Sequence, residues 1–232
     1  MAILIFHSRL WPETTPLPAD WLAELPPEKR YELLRSRPVR RWESMVGLRL
    51  LSHGMATLGY ADFKLSEVRS GRGLKPVSGR GVDFSISHSH GLAACALNST
   101  SGEPVGLDIE QIRPLDVHSL ARYVNPEGQP PMRTVAETLE RWTCIESVMK
   151  AASGAGLARI KEVQCDPDDD AIAHFDGRRW HTRQIDLDLD YAACVATRAE
   201  STGPSSAPVI NITDVTWDEL RLPTYRASGI AR

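Results

Sequence analysis

The hydrophobic pattern changes period several times along the chain. Ala2–Phe6 is an unbroken apolar run that predicts a buried strand, and the proline-interrupted Trp11–Pro18 reads as a loop. From Asp20 to Leu34, Trp21, Leu22, Leu25, Leu33 and Leu34 fall on helical spacings interrupted at Pro26-Pro27, and a second helix is predicted from about Val39 to Leu58. Three short strand-like runs follow, Val82–Ser87, Leu92–Leu97 and Val105–Ile109, with turn residues between them, the signature of a meander. Thr134–Ala152 predicts the strongest helix. Thr134 and Glu137 have capping-box spacing, Leu139, Trp142, Ile145, Val148, Met149 and Ala152 keep one face apolar, and Gly154 supplies a stop. A second antiparallel meander is expected from Ile160–Cys165, Ala171–Phe175, Arg178–Ile185 and Tyr191–Thr197, around turns at Asp166–Asp170 and Asp176-Gly177. Ser201–Pro208 is linker-like, and Val209–Ile212 predicts one more strand. Strands and helices are grouped instead of alternating as βαβ units, so the fold class is α+β.

At 232 residues the chain suits one large domain or two fused half-size units, and 42% hydrophobic with 25% charged residues excludes a wholly disordered or collagen-like chain. Twenty-seven basic against thirty acidic residues give −3, which offers no general field for nucleic acid. The apolar run after Met1 is too short for a signal sequence or a membrane span, so a cytoplasmic protein with no membrane association is expected. Cys95, Cys144, Cys165 and Cys194 form no CxxC pair and read as reduced, structural thiols. Charge is nevertheless uneven. Six basic residues and one acid lie between Lys29 and Arg41, and Val68–Val82 holds four basic residues, four glycines and no acid, a composition suited to an anionic, phosphate-bearing ligand.

Asp108 and Glu110, two apart on a predicted strand, leave the sheet on one face, while Glu146 and Lys150, four apart, share a helix face. Two carboxylates about 5 Å apart repel by roughly 3 kcal/mol at an effective dielectric near 20, so three converging acids require a cation, and all-oxygen ligation favours magnesium over zinc. The same spacings also fit a solvated strand face and an ordinary surface ion pair. His88, in FSISHSHG with Ser85, Ser87 and Ser89 and with Lys75 nearby, is placed for a phosphate contact, whereas His7, His53, His118, His174 and His181 have no such context. The acidic run Asp166–Asp170 fails as a calcium loop, because Ala171 and Gly177 stand where glycine and glutamate are needed.

GLKP (Gly73–Pro76), FSISHS (Phe84–Ser89), VGLDIE (Val105–Glu110) and WTCIESVMKAASGAGL (Trp142–Leu157) resemble, in order, the four signatures of the 4′-phosphopantetheinyl transferases of the surfactin-synthetase-activating type. A weaker likeness extends over Leu25–Ser44 and toward residue 198. The resemblance implies a pseudo-twofold arrangement of two similar α+β halves, each an antiparallel sheet with a packed helix. The halves would be residues 1–112 and 113–200, with 201–232 a linker-like tail and coenzyme A in the cleft. It implies a monomer that transfers phosphopantetheine from coenzyme A to a serine of an apo acyl- or peptidyl-carrier protein. By motif, Asp108, Glu110 and Glu146 would hold Mg2+, and Lys150 would stabilise charge on the attacked phosphate. Glu146 or a metal-bound water would act as base, and Arg41, Lys75, Pro76, Ser87 and His88 would contact coenzyme A. Two positions depart from the pattern. Glu43 and Ile145 stand where family members carry basic residues, so Glu43→Arg and Ile145→Lys are expected to tighten coenzyme A binding. A relative that binds without turnover, and a magnesium-dependent phosphohydrolase, are the alternatives.

Overall fold

The computed structural model describes residues 2–9, 16–68, 80–100, 102–124, 132–152, 157–166, 169, 171–199 and 208–221. Residues 69–79 of the predicted glycine-rich loop Val68–Val82, with Lys75 and Pro76, the helix stop at Gly154 and most of the predicted linker lie outside them. In chain order the elements are β1 (Ala2–Arg9), α1 (Ala19–Ala23), α2 (Pro27–Arg35), α3 (Pro38–Thr57), β2 (Asp83–Ser89), β3 (Leu92–Asn98), β4 (Val105–Gln111), α4 (Val117–Val124), α5 (Val135–Ala151), β5 (Gln164–Cys165), β6 (Ile172–Phe175), β7 (Arg178–Gln184), β8 (Tyr191–Arg198), β9 (Val209–Asp214) and α6 (Trp217–Arg221).

They form two sheets of order β2-β3-β1-β9 and β4-β8-β7-β6-β5. The second sheet is antiparallel throughout, whereas the first is closed at one edge by β9, which runs parallel to β1. The expected α+β class holds, and the same connection occurs twice. β1, α3, β2 and β3 give the order β2-β3-β1, and β4, α5, β7 and β8 give β7-β8-β4. Buried apolar residues collect in three places. Phe6, Phe84, Cys95 and Leu97 meet α3, Cys194, Ala196, Ala173 and Trp180 meet α5, and Ile3, Ile5, Ala94, Leu107, Ile109 and Val195 fill the space between the sheets. The layers are therefore helix, sheet, sheet, helix.

Local chemistry accounts for most boundaries. Pro27 and Pro38 each occupy a first helical position, where a missing N–H is harmless, so Pro26-Pro27 separates α1 from α2 instead of kinking one helix. Thr134 and Glu137 cap α5 reciprocally, with the Glu137 N–H donating to Thr134 Oγ1 at 3.1 Å and the Thr134 N–H donating to the Glu137 carboxylate at 3.3 Å. The expected strand at Ile160–Cys165 is mostly a 3₁₀ turn, Leu157–Glu162, and only Gln164–Cys165 pairs with β6. Ile160 and Val163 enter the same core cluster, and a separation of three aligns side chains on a 3₁₀ turn but places them on opposite faces of a strand. The two-turn helix α4 is too short for its periodicity to register in the sequence. The chain beyond 208 returns to the first half: α6 brings Trp217 to 5.3 Å, centroid to centroid, from both Trp21 and Trp42. Buried Arg49 of α3 donates to the Leu220 carbonyl oxygen at 3.0 and 3.2 Å and to the Glu24 carboxylate at 2.8 and 3.0 Å.

The two sheets are joined by side chains. β4 pairs with β8 on one edge, and on its other edge the N–H groups of Val105, Leu107, Ile109 and Gln111 donate to Asp83 Oδ2, Ser85 Oγ, Ser87 Oγ and Ser89 Oγ at 2.8, 3.0, 3.2 and 3.2 Å. Asp83, Ser85, Ser87 and Ser89 alternate along β2, so all four emerge on one face and match the two-residue repeat of the strand they serve. Burial raises the Asp83 carboxyl above the ordinary range, opposed by the N–H groups of Val105 and Phe84. A carboxyl raised in the folded state contributes stability that is complete below its unfolded value and lost as pH rises through the folded value. Asp83→Asn keeps an acceptor for Val105 without the charge. It is therefore expected to raise the Tm at neutral pH, with the gain vanishing below the ordinary aspartate range, in melts run between about pH 3 and 8. A lower Tm at neutral pH would show that the charge itself holds the seam.

Candidate active site

The serine ladder also orders the carboxylates of β4. Ser87 Oγ accepts from the Ile109 N–H and from Lys150 Nζ at 3.0 Å and donates to Asp108 Oδ1 at 3.0 Å, which uses both its lone pairs and its proton. Ser89 Oγ, accepting from the Gln111 N–H, donates to Glu110 Oε2 at 2.9 Å. Lys150 of α5 completes the group, its ammonium donating to Asp108 Oδ1 at 2.7 Å and to the Leu107 carbonyl oxygen at 3.0 Å as well as to Ser87. Asp108 Oδ2 is buried with no hydrogen-bond partner among the described residues.

Gly106 makes this approach possible. A Cβ placed there would lie 1.9 Å from the Ser147 carbonyl oxygen and 2.6 Å from the Ala151 nitrogen, so α5 rests directly on the backbone of β4 at the turn carrying Glu146 and Lys150. Close contact of this kind requires a residue without a side chain.

The electrostatics follow from the crowding. Burial raises the Glu146 carboxyl above the ordinary range, the charge of Asp108 raises it further, Lys150 opposes, and Glu110 adds to the rise. Glu110 is raised by burial and then by Asp108, against the opposing effects of Ser89, His90 and Lys150. Three carboxyl groups thus repel one another with a single ammonium among them. Among the described residues no three histidine, cysteine, aspartate or glutamate side chains are already arranged to hold a metal ion. The donor chemistry fits a hard divalent cation nonetheless: every candidate ligand is a carboxylate oxygen, one buried oxygen is unpartnered, and added positive charge would relieve both raised carboxyls.

The structure separates the remaining candidates. His88 and Ser87, adjacent on β2, face opposite ways: Ser87 joins Asp108 and Lys150, while His88 turns to α3, where its Nδ1 lies 3.2 Å from Glu43 Oε2 and 3.0 Å from Arg40 Nη1. Arg41 Nε donates to the Ser36 carbonyl oxygen at 2.9 Å. Arg80, in the basic and glycine-rich segment Val68–Val82, is held by Asp62 at 2.9 Å and Glu67 at 3.1 Å. Ile145 is 3% exposed within the core beneath α5, so that position faces apolar packing and not a nucleotide. The sequence reading took Glu43 for a missing cation. The structure makes it the partner of His88, a pairing foreshadowed only by the three-residue spacing of Arg40 and Glu43 on one helix. The role of Gly106 in seating α5 was likewise missed, although the residue sits within the VGLDIE motif.

No protein-family model matches the chain. Over 103 residues it is 35% identical to the 4′-phosphopantetheinyl transferase HetI of a Nostoc species, a stretch covering 39% of this chain and 42% of that protein. Over 127 residues it is 34% identical to the 4′-phosphopantetheinyl transferase AcpT of Salmonella typhi, covering 50% of this chain and 62% of that one. The chain thus spans about half the length of the curated relatives it matches.

Two stability measurements check this geometry. Gly106→Ala is expected to cost about 3 kcal/mol in urea unfolding, the upper end of overpacking, because backbone and not a movable side chain is in the way. Lys150→Met leaves buried Asp108 without its ammonium and, Lys150 being partly exposed, is expected to cost about 1–3 kcal/mol at neutral pH. Asp108→Asn in the same chain should recover part of that loss, and strictly additive effects would mean that the pair is not coupled.

Proposed function

We propose that the chain is a magnesium-dependent 4′-phosphopantetheinyl transferase of the surfactin-synthetase-activating type. It would transfer the 4′-phosphopantetheine arm of coenzyme A to a serine of an apo acyl- or peptidyl-carrier protein and release 3′,5′-adenosine bisphosphate. The observation that carries the reading is the meeting of Asp108, Glu110, Glu146 and Lys150 where α5 rests on β4. The names of the two partial relatives support the same reaction. The two similar halves are read as residues 1–112 and 113–200, with the site between them. The protein is read as a cytoplasmic monomer that recognises neither nucleic acid nor membrane. Among the described residues no helix is long and apolar enough to cross a bilayer.

In this reading Asp108, Glu110 and Glu146 would hold magnesium, which when bound would supply positive charge against that of the pyrophosphate and Lewis acidity toward the phosphate under attack. The serine oxygen of the carrier bonds to the phosphorus bearing the pantetheine arm. The bond from that phosphorus to the bridging oxygen breaks, and the electron pair leaves with the adenosine bisphosphate. Glu146 takes the serine proton as the general base. Lys150, fixed by Asp108, Ser87 and the Leu107 carbonyl, offsets negative charge on the transferred phosphate. His88, Arg41, Lys75 and Pro76 bind coenzyme A, and Ser87 contributes by orienting the Asp108–Lys150 pair.

The test is incubation with coenzyme A, magnesium and a panel of apo carrier proteins, read by intact mass. One phosphopantetheine should be added to a carrier and adenosine bisphosphate released. Asp108→Asn is expected to abolish transfer, and Glu146→Gln to slow it by about 10²–10⁴-fold. Free phosphopantetheine beside an unmodified carrier would identify a hydrolase instead, and full activity in both variants would mean that the acids are misassigned.

A further inference from the structure

At the other face of β2, Glu43 and Arg40 compete for one ring nitrogen. His88 Nδ1 is within hydrogen-bond distance of Glu43 Oε2, at 3.2 Å, and of Arg40 Nη1, at 3.0 Å. A single nitrogen cannot serve both, because it donates to the carboxylate when protonated and accepts from the guanidinium when bare. Burial decides between them. The side chains of Glu43 and His88 are 9% and 10% exposed, whereas Arg40 is 61% exposed and loses little by turning to water. Burial raises the Glu43 carboxyl, but the hydrogen bond and charge of His88, then Arg40 and the Gly91 N–H, outweigh that and hold it ionised. A buried carboxylate kept ionised needs its donor, and the buried candidate on β2 is the imidazole.

Resting on the transferase reading of the site, we propose that Glu43 is a positioning residue for coenzyme A binding. It accepts a hydrogen bond from His88 Nδ1–H, so that the ring, protonated at both nitrogens in the complex, donates Nε2–H to a phosphate of the nucleotide, and it leaves the exposed Arg40 guanidinium available to the same anion. The acid at position 43 is then an aid to binding and not a lost cation. Glu43→Arg is accordingly expected to weaken coenzyme A binding, the reverse of what the sequence comparison implied, since it would set a guanidinium against Arg40 and remove the acceptor for His88.

Long-range proton–nitrogen NMR of the full chain, with His88→Ala for assignment, tests the ring state without turnover, and calorimetry with coenzyme A tests its consequence. With coenzyme A bound, the wild-type ring should carry a proton on each nitrogen. Glu43→Met, similar in shape but without the acceptor, should leave the ring neutral with a proton on Nε2 alone and Arg40 donating to the bare Nδ1, so that the phosphate loses a charge-assisted donor and the free Arg40 guanidinium. It should weaken coenzyme A binding about tenfold, the lower end for losing a group that orients a ligating histidine. Glu43→Gln retains an acceptor and should keep the Nδ1 proton and recover part of the affinity, which a merely structural role for residue 43 would not produce. A wild-type ring with a bare Nδ1 in that complex overturns the proposal. So does coenzyme A binding within twofold of wild type in Glu43→Met while His88→Ala is impaired. Unimpaired binding by His88→Ala overturns instead the placement of the nucleotide beside His88, and with it that part of the transferase reading.

Discussion

A strand buried where two sheets meet must satisfy the N–H groups on the edge that lacks a strand partner. In β4 those of Val105, Leu107, Ile109 and Gln111 are satisfied by Asp83 and three serines of β2. Left unmet, each would cost on the order of 1–3 kcal/mol. Meeting them with side chains instead of a backbone ladder sets the edge of one sheet a side-chain length from the other, and leaves room in the seam for a cation to enter. Lys150 does so, donating to Ser87 and to the Leu107 carbonyl oxygen on that same edge. The seam and the candidate site are therefore one structure, since Ser87 and Ser89 accept from the strand and pass their protons to Asp108 and Glu110.

What brings the second half of the site into range is steric. α5 touches the backbone of β4 at Gly106, and from there the helical repeat delivers Glu146 and Lys150 to the carboxylates. The resulting excess of negative charge is unfavourable without a cation, which is the physical basis for reading the cluster as functional: an arrangement selected for stability alone would not gather three acids around one lysine. The first half shows the same economy at Glu43, where a buried acid is tolerated because an imidazole and a guanidinium face it.

Stability of α3 is bound up with residues 208–221. Arg49 ties α3 at once to Glu24 after α1 and to the Leu220 carbonyl oxygen of α6. Trp21, Trp42 and Trp217 pack together beside it. A tail that sequence composition marks as a linker thus ends in a strand and helix that complete the first half, with β9 covering the β1 edge that would otherwise be open.

Periodicity and caps by themselves determined the α+β class, the long helices α3 and α5, both meanders and the residue types of the site, because alternation, proline positions, the Thr134 and Glu137 box and the i, i+2 and i, i+4 spacings are local properties of a chain. Only the tertiary structure decided which faces met. Ser87 and His88 are neighbours in sequence, yet the pleat sends one to Asp108 and the other to Glu43. Glu43 and Ile145 read alike as absent basic residues, yet one is an ion-pair partner and the other is core. Arg40 and Arg80 belong to the two basic segments Lys29–Arg41 and Val68–Val82, yet Asp62 and Glu67 hold Arg80 while Arg40 stays exposed beside His88. The strand that closes the first sheet runs parallel because it arrives from the far end of the chain, and the 3₁₀ turn at Ile160 exists because two side chains three apart must reach one core. Such outcomes depend on contacts between residues distant in sequence, and no local pattern carries them.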